Sequence, residues 1–290
     1  MDKRKIKIGF LGYGTRALDA LMEHPLYEVK YFWAPEKRLC KDVYDAQERY
    51  KDLLKMEVVK NNDNLVDKLK DVEDVECFLM NACPIILNEK VLKEMTFYNI
   101  HPGNLENNRG HQPHLWTVLL GEKESEITLH TVCTGIDEGD IIASQKVEIT
   151  ERDNALDVLD RLEDQIPLLL DRLYEHLVNG QPPQKTIMGG GYRRIMIPDD
   201  YKIDFAEAKS HADFELQMDR KIRARSMNHG AFFVYEGNRI YVDKLLAKDV
   251  GEYSDALVVH ERNSKQIIVE VNKCKYTFHI NKIQPETKGE

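Results

Sequence analysis

From Lys5 to His101 the chain alternates short apolar runs with segments of helical periodicity, and that alternation limits what it can fold into. Lys5–Leu11 is apolar and runs into Gly12-Tyr13-Gly14-Thr15, after which Ala17, Leu18, Leu21 and Met22 recur at helical spacing. The pattern predicts further strands over Tyr27–Trp33, Met56–Val59, Glu76–Met80 and Phe97–His101. Helices are predicted between them, over Val43–Leu54, Leu65–Val72 and Asn88–Met95. Strand and helix in turn imply an α/β, Rossmann-like fold, a mostly parallel sheet with flanking helices. Ligands of such sheets sit beyond the carboxyl ends of the strands, where Asn81-Ala82-Cys83-Pro84 and His101-Pro102 fall.

The later chain reads differently. A helix from Pro113 is closed by Gly121, and Glu126–Val132 is a strand with Ile127, Leu129 and Thr131 on one side and the more polar Thr128, His130 and Val132 on the other. A strand over Ile141–Ile149 precedes a long amphipathic helix over Asn154–Leu177, capped by Asp153 or Asn154 and kinked or restarted at Pro167. Asn179–Ile197, with Pro182, Pro183 and Gly189–Gly191, reads as a linker. Beyond it a helix within Asp204–Ser226 and short strands over Phe232–Tyr235, Arg239–Leu246, Ala256–His260, Ile267–Val271 and Tyr276–Ile280 suggest a small β-rich, barrel-like C-terminal domain. The expected division is residues 1–180, a linker over 181–203, and 204–290.

A length of 290 residues suits two domains better than one. The formal charge of -9 gives no global field towards nucleic acid or an anionic membrane. Five widely spaced cysteines point to a reducing compartment rather than to a disulfide framework or a zinc site. The basic start runs straight into a first strand, not a signal peptide, and no run approaches the roughly 18 apolar residues of a membrane span. A cytoplasmic location is therefore expected.

Chemistry concentrates between Tyr98 and Asp140. Asn99 and His101 are two apart on one strand, so they project to the same side before Pro102 and Gly103 stop it. An amide can donate to a developing oxyanion while the neighbouring imidazole takes or gives a proton. Asp137 lies between Gly135 and Gly139, and Glu138 and Asp140 are equal alternatives by position alone. The cluster lacks the alternating oxygen ligands of an EF-hand loop. His111, His114 and His130 lack a zinc spacing, so no metal is expected. The helix start at Gly12, Tyr13, Gly14 and Thr15 favours an anion such as a phosphate.

These residues resemble the formyltransferases that use N10-formyltetrahydrofolate, a family with purine, methionyl-tRNA and sugar branches. The resemblance rests on Asn99-Ile100-His101-Pro102, Arg109-Gly110, Pro113, Trp116, Gly121 and Ile136-Asp137-Glu138-Gly139. It extends into the second domain through Ile203-Asp204-Phe205, Ile222-Arg223-Ala224 and Gly230-Ala231-Phe232, which disfavours the purine branch. It implies that Asn99, His101 and Asp137 are the catalytic trio, with Asn99 and a protonated His101 stabilising the oxyanion and Asp137 coupled to the imidazole. It implies formyltetrahydrofolate as co-substrate, held near Cys83, Pro84, Ile85, Ile86 and Leu87 and by Gly135, Ile136, Glu138, Gly139 and Asp140. The acceptor implied is a primary amine, foremost that of a nucleotide-linked amino sugar, contacted by Gly12–Thr15, Asn104 and Arg109. Sugar-branch members are often dimeric, so a homodimer is among the expected assemblies. Two departures stand out. Asn104-Leu105-Glu106 replaces the family's leucines and proline, and Ala34–Leu39 lacks the basic insertion of the tRNA branch, which disfavours a nucleic-acid partner.

Overall fold

Strand β1 (Ile6–Gly12) lies in a seven-stranded sheet with neighbours on both sides, and its apolar run is almost wholly buried, as an interior parallel strand requires. The computed structural model describes residues 4–186, 191–209, 213–263 and 265–286. Helix α1 (Thr15–Glu23) follows, burying Ala17, Leu18 and Leu21. The alternation continues through β2 (Tyr27–Pro35), α2 (Lys41–Tyr50), β3 (Met56–Val59), α3 (Asn62–Leu69), β4 (Cys77–Asn81), α4 (Glu89–Glu94) and β5 (Phe97–His101). Asn61 and Asn88 start α3 and α4 by accepting backbone N–H bonds on their side chains.

Strands β2 and then β3 are added on one side of β1, and β4 and then β5 on the other, all in parallel. The order of addition reverses between β1 and β4, the place where open sheets of this kind bind ligands. Gly12 and Asn81 are paired at the carboxyl edge there. A Cβ on Gly12 would come within 1.9 Å of the Asn81 carbonyl oxygen, so only glycine allows the approach.

After β5 come the short β6 (Arg109–Gly110), α5 (Pro113–Leu120) and β7 (Glu124–Thr131), which pairs with β5 in antiparallel fashion; β8 (Ile141–Glu148) lies outside β7. The long helix expected over 154–177 is two, α6 (Ala155–Glu163) and α7 (Ile166–Asn179). Pro167 sits in the first turn of α7, where its missing N–H breaks no helical bond, so it marks a second start and not a kink. Of the two cap candidates, Asn154 accepts from the N–H groups of Leu156 and Asp157 at 2.8 and 3.2 Å, while Asp153 accepts from Thr150. Strand β9 (Tyr192–Arg193), inside the segment read as a linker, pairs with β6; Gly189 and Gly190 of that segment lie outside the described residues.

The C-terminal part contains α8 (Pro198–Tyr201), a 3₁₀ turn at Phe205–Lys209, α9 (Phe214–Arg225), β10 (Ala231–Tyr235), β11 (Asn238–Val250), β12 (Val258–Asn263), β13 (Gln266–Val271) and β14 (Cys274–Pro285). Its strands form one antiparallel sheet in the order β10-β11-β14-β13-β12. Phe205, Phe214, Ile222, Phe233, Ile240 and Phe278 are among its core residues. By compactness the chain forms two units, one of Met1–Gly110, Ser125–Val147 and Asp160–Arg193, the other of His111–Glu124, Glu148–Leu159 and Arg194–Glu290. Among the described residues no helix is long and apolar enough to cross a membrane.

Candidate active site

Strand parity puts Asn99 and His101 on one side of β5, and the register with β7 sets His130 opposite Asn99 and Thr128 opposite His101. Directly opposed residues of antiparallel strands share a face. The polar side of β7 is therefore buried against the polar side of β5, with His130 and Thr128 almost inaccessible. Thr128 donates its hydroxyl to the Gly103 carbonyl at 2.9 Å, fixing the chain just after His101.

Asp137 is brought to this face by the loop after β7. Its backbone adopts φ 51°, a left-handed conformation that aspartate tolerates better than most residues. One carboxylate oxygen accepts from the Gly110 N–H at 2.9 Å and lies 3.4 Å from His101 Nδ1. The other lies 3.4 Å from Asn99 Nδ2 and 3.6 Å from His130 Nε2. Burial opposes ionisation of Asp137, but the neighbouring His101 imidazole and the Gly110 N–H outweigh it and hold the carboxyl well below the usual carboxylate range.

His101 is pulled the other way. Burial lowers its pKa below the ordinary histidine value, against the Asp137 carboxylate and the Asn108 carbonyl, which favour the charged form. Its Nε2 faces that carbonyl at 2.8 Å. Both ring nitrogens thus face acceptors, so a neutral ring satisfies only one of them. His130 places Nδ1 2.8 Å from the Thr131 carbonyl, which sets its proton there and leaves Nε2 to accept from Asn99 Nδ2 at 3.1 Å.

The loop after β5 has its own geometry. Asn104 Oδ1 accepts from the N–H groups of Glu106 and Asn107 at 2.9 and 3.1 Å, and its amide donates to Glu126 at 2.7 Å. Leu105 is buried. The Asn104 side chain thus holds the turn through its own hydrogen bonds to the following main chain. Farther along, Arg193 donates to the Asn108 side chain at 2.6 Å, and Arg109 pairs with Glu138 at 3.1 Å.

The remaining predicted residues flank this centre. Asn81 donates to the Ile100 carbonyl at 2.9 Å and its own carbonyl meets the Gly14 N–H at 3.4 Å, which ties the Gly12–Thr15 turn to the end of β5. Helix α1 begins with no side-chain cap and no acidic residue in its first turn. Cys83 and Ile85 pack on the same core cluster as Val132, so the Cys83–Leu87 and Gly135–Asp140 segments both leave one piece of core. Leu87 is buried in it, while Ile86 and Ile136 are 54% and 37% exposed, an apolar offer to a flat ring. Burial pushes the Cys83 thiol up to about 12, so it is no nucleophile at neutral pH. A Cβ on Gly139 would come within 1.5 Å of the Thr131 carbonyl oxygen. Among the described residues no group of His, Cys, Asp and Glu could hold a metal ion.

Sequence reasoning missed His130 and Asn108. His130 is one of the histidines without a zinc spacing; its signal is a polar strand face shared with Thr128, whose partner strand the sequence does not name. Asn108 acts through its backbone carbonyl, which leaves no trace in residue identity.

Residues 36–172 match the formyl transferase family model. A methionyl-tRNA formyltransferase of Rickettsia massiliae is 24% identical over 230 residues, covering 78% of this chain and 70% of that protein. The structure of a sugar N-formyltransferase from a Shewanella species superposes with TM-score 0.65 at 18% identity, over 82% of this chain and 96% of the other. HypX from Aquifex aeolicus, solved in complex with tetrahydrofolic acid, superposes with TM-score 0.67 at 15% identity, over 97% of this chain and 44% of the larger protein.

Proposed function

We propose that this chain, a formyltransferase by its domain at residues 36–172, moves the formyl group of 10-formyltetrahydrofolate to the primary amine of a nucleotide-linked amino sugar. The observation that carries the reading is the buried Asn99–His101–Asp137 constellation inside that domain, with its neutral imidazole between two acceptors. The folate supplies the formyl carbon and a leaving nitrogen. Cys83–Leu87 and Gly135–Asp140 suit its ring through exposed apolar side chains and main chain.

The roles of the protein groups follow from their geometry. Asn99 Nδ2, held by His130 on one side and only 3.4 Å from Asp137 on the other, can turn its second N–H to the formyl oxygen as negative charge develops. The attacking amine must lose a proton and the leaving nitrogen must gain one. His101, neutral at rest, accepts the first and delivers the second. Charging the imidazole makes both its nitrogens donors and strengthens the contact with Asp137. For His101 Nε2 to reach substrate it must exchange the Asn108 carbonyl for a substrate atom. The Gly12–Thr15 turn, one strand beyond Asn81, offers uncapped N–H groups to the acceptor's phosphate.

The sugar acceptor is favoured by the acidic balance and by β2 running through a short 3₁₀ turn at Glu36–Arg38 into α2, with no basic insertion. Methionyl-tRNA is the second reading because relatives matched over most of the chain carry that name. A panel of nucleotide-linked amino sugars, free amines and charged tRNA, incubated with the folate donor and read by mass spectrometry, separates them. A gain of one formyl group on a sugar supports the proposal. A gain on tRNA alone, or formate release without any amine, overturns it.

A further inference from the structure

The outer face of the C-terminal sheet gathers more positive charge than the acids beside it match. Phe232 on β10, Tyr241 on β11 and Lys282 on β14 stand opposite one another, and Arg239 lies two residues from Tyr241 on the same side. This is the face opposite the one carrying Phe233 and Ile240 into the core. Tyr201 of α8 sets its ring edge-on to Phe232 at 5.6 Å. The Arg225 guanidinium, at the end of α9, lies 4.2 Å over the Tyr201 ring; that of Arg239 lies 5.1 Å over Phe232, and the Lys282 ammonium 6.0 Å over Tyr241.

The two arginines are less fully matched by carboxylates than several others. Arg4, Arg16, Arg49, Arg109, Arg194 and Arg223 each meet a carboxylate. Arg225 meets none, and the Nε atoms of Arg225 and Arg239 are buried without a hydrogen-bond partner. Among the described residues the acid paired with Arg239 is Glu286, at 4.0 Å. Burial lowers the pKa of Arg225, and no acid restores it. Both guanidiniums act on the Tyr201 phenol, so they share one neighbourhood. A half-buried guanidinium without an acceptor costs free energy that a planar anion can recover by bidentate hydrogen bonds.

We infer that this Arg225–Arg239–Lys282 face, with Tyr201, Phe232 and Tyr241 as its floor, is a binding site for a small phosphate-bearing ligand. Three cations against one acid leave a charge suited to a phosphomonoester or a pyrophosphate. A nucleic-acid backbone asks for a longer basic track, and Asp199, Asp200, Glu236 and Asp243 surround the patch in sequence. Cations already cover the aromatic rings, which leaves the donors, not the rings, to the ligand.

Calorimetric titration of the full chain with inorganic pyrophosphate at low salt tests this, alongside an R225Q/R239Q double variant and an R225M variant. A binding event in the parent that weakens at least tenfold in the double variant, with the ligand-free melting temperature of R225M equal to or above the parent's, supports the site. Equal pyrophosphate binding by parent and double variant overturns it, as does no binding to the parent. A lower ligand-free melting temperature in R225M with binding intact assigns Arg225 to packing and also overturns it. Preference for a short RNA over pyrophosphate at equal phosphate concentration would reassign the ligand class and sink the small-anion inference. Comparing formyl transfer by the parent and double variant distinguishes failure here from failure of the proposed reaction, which uses neither arginine.

Discussion

His101 stands between the Asp137 carboxylate and the Asn108 carbonyl, and burial keeps it neutral until charge appears beside it. Because its folded pKa lies below the ordinary value, the acid limb of the pH–rate profile should fall below about pH 6.5. Asp137→Asn removes the interaction that holds that pKa up and leaves burial less opposed. The limb should then move to lower pH while the rate at the optimum drops; a limb moving to higher pH would contradict the assignment. The pairing of Asn99 with His101 was legible because strand parity is local. The choice of Asp137 over Glu138 and Asp140 came from family resemblance. The structure gives its physical counterpart, since Asp137 alone of the three reaches His101 and the Gly110 N–H, through a left-handed backbone no spacing rule predicts.

The elements were read more fully than their partners. Met56–Val59 and Phe97–His101 fall where apolar runs placed them, because short buried strands are bounded by their own turn residues. Pairing of β7 with β5 and of β9 with β6 was not legible, since register between distant strands is set by packing. Gly139 belongs to this scale: its missing Cβ lets the Asp137 loop close on the end of β7. Gly139→Ala should destabilise the protein by about 1–3 kcal/mol in denaturant unfolding and lower the rate as well; parent-like unfolding would show that the loop closes otherwise. On α6, burial raises Glu163 to about 6, opposed by Arg16 and aided by Asp160 and Asp164. A raised acid binds protons more tightly folded than unfolded, so its contribution to stability declines as pH rises from about 4.5 to 6. Glu163→Gln should remove that decline, worth about 2 kcal/mol at most, and melting curves of both proteins at pH 4 to 7 read the difference. Parallel pH dependence in the two would contradict it.

At the scale of the whole molecule, an acidic chain combines a parallel sheet that sets the amide, imidazole and carboxylate at its carboxyl edge with a separate antiparallel sheet. Alternation and composition made the fold class legible; the identity of the acceptor was not, because specificity resides in pocket contacts that periodicity does not encode. Any binding of tRNA by the full chain should be weak at physiological salt, and tight, steeply salt-dependent binding would favour the tRNA reading. The most direct test of the central claim is the single-turnover rate of formyl transfer from 10-formyltetrahydrofolate to a nucleotide-linked amino sugar, measured for the parent and for His101→Ala. The parent should give a formylated sugar and the variant a loss of roughly 10²–10⁴-fold, with donor binding retained. A variant that transfers formyl at the parent's rate would contradict it.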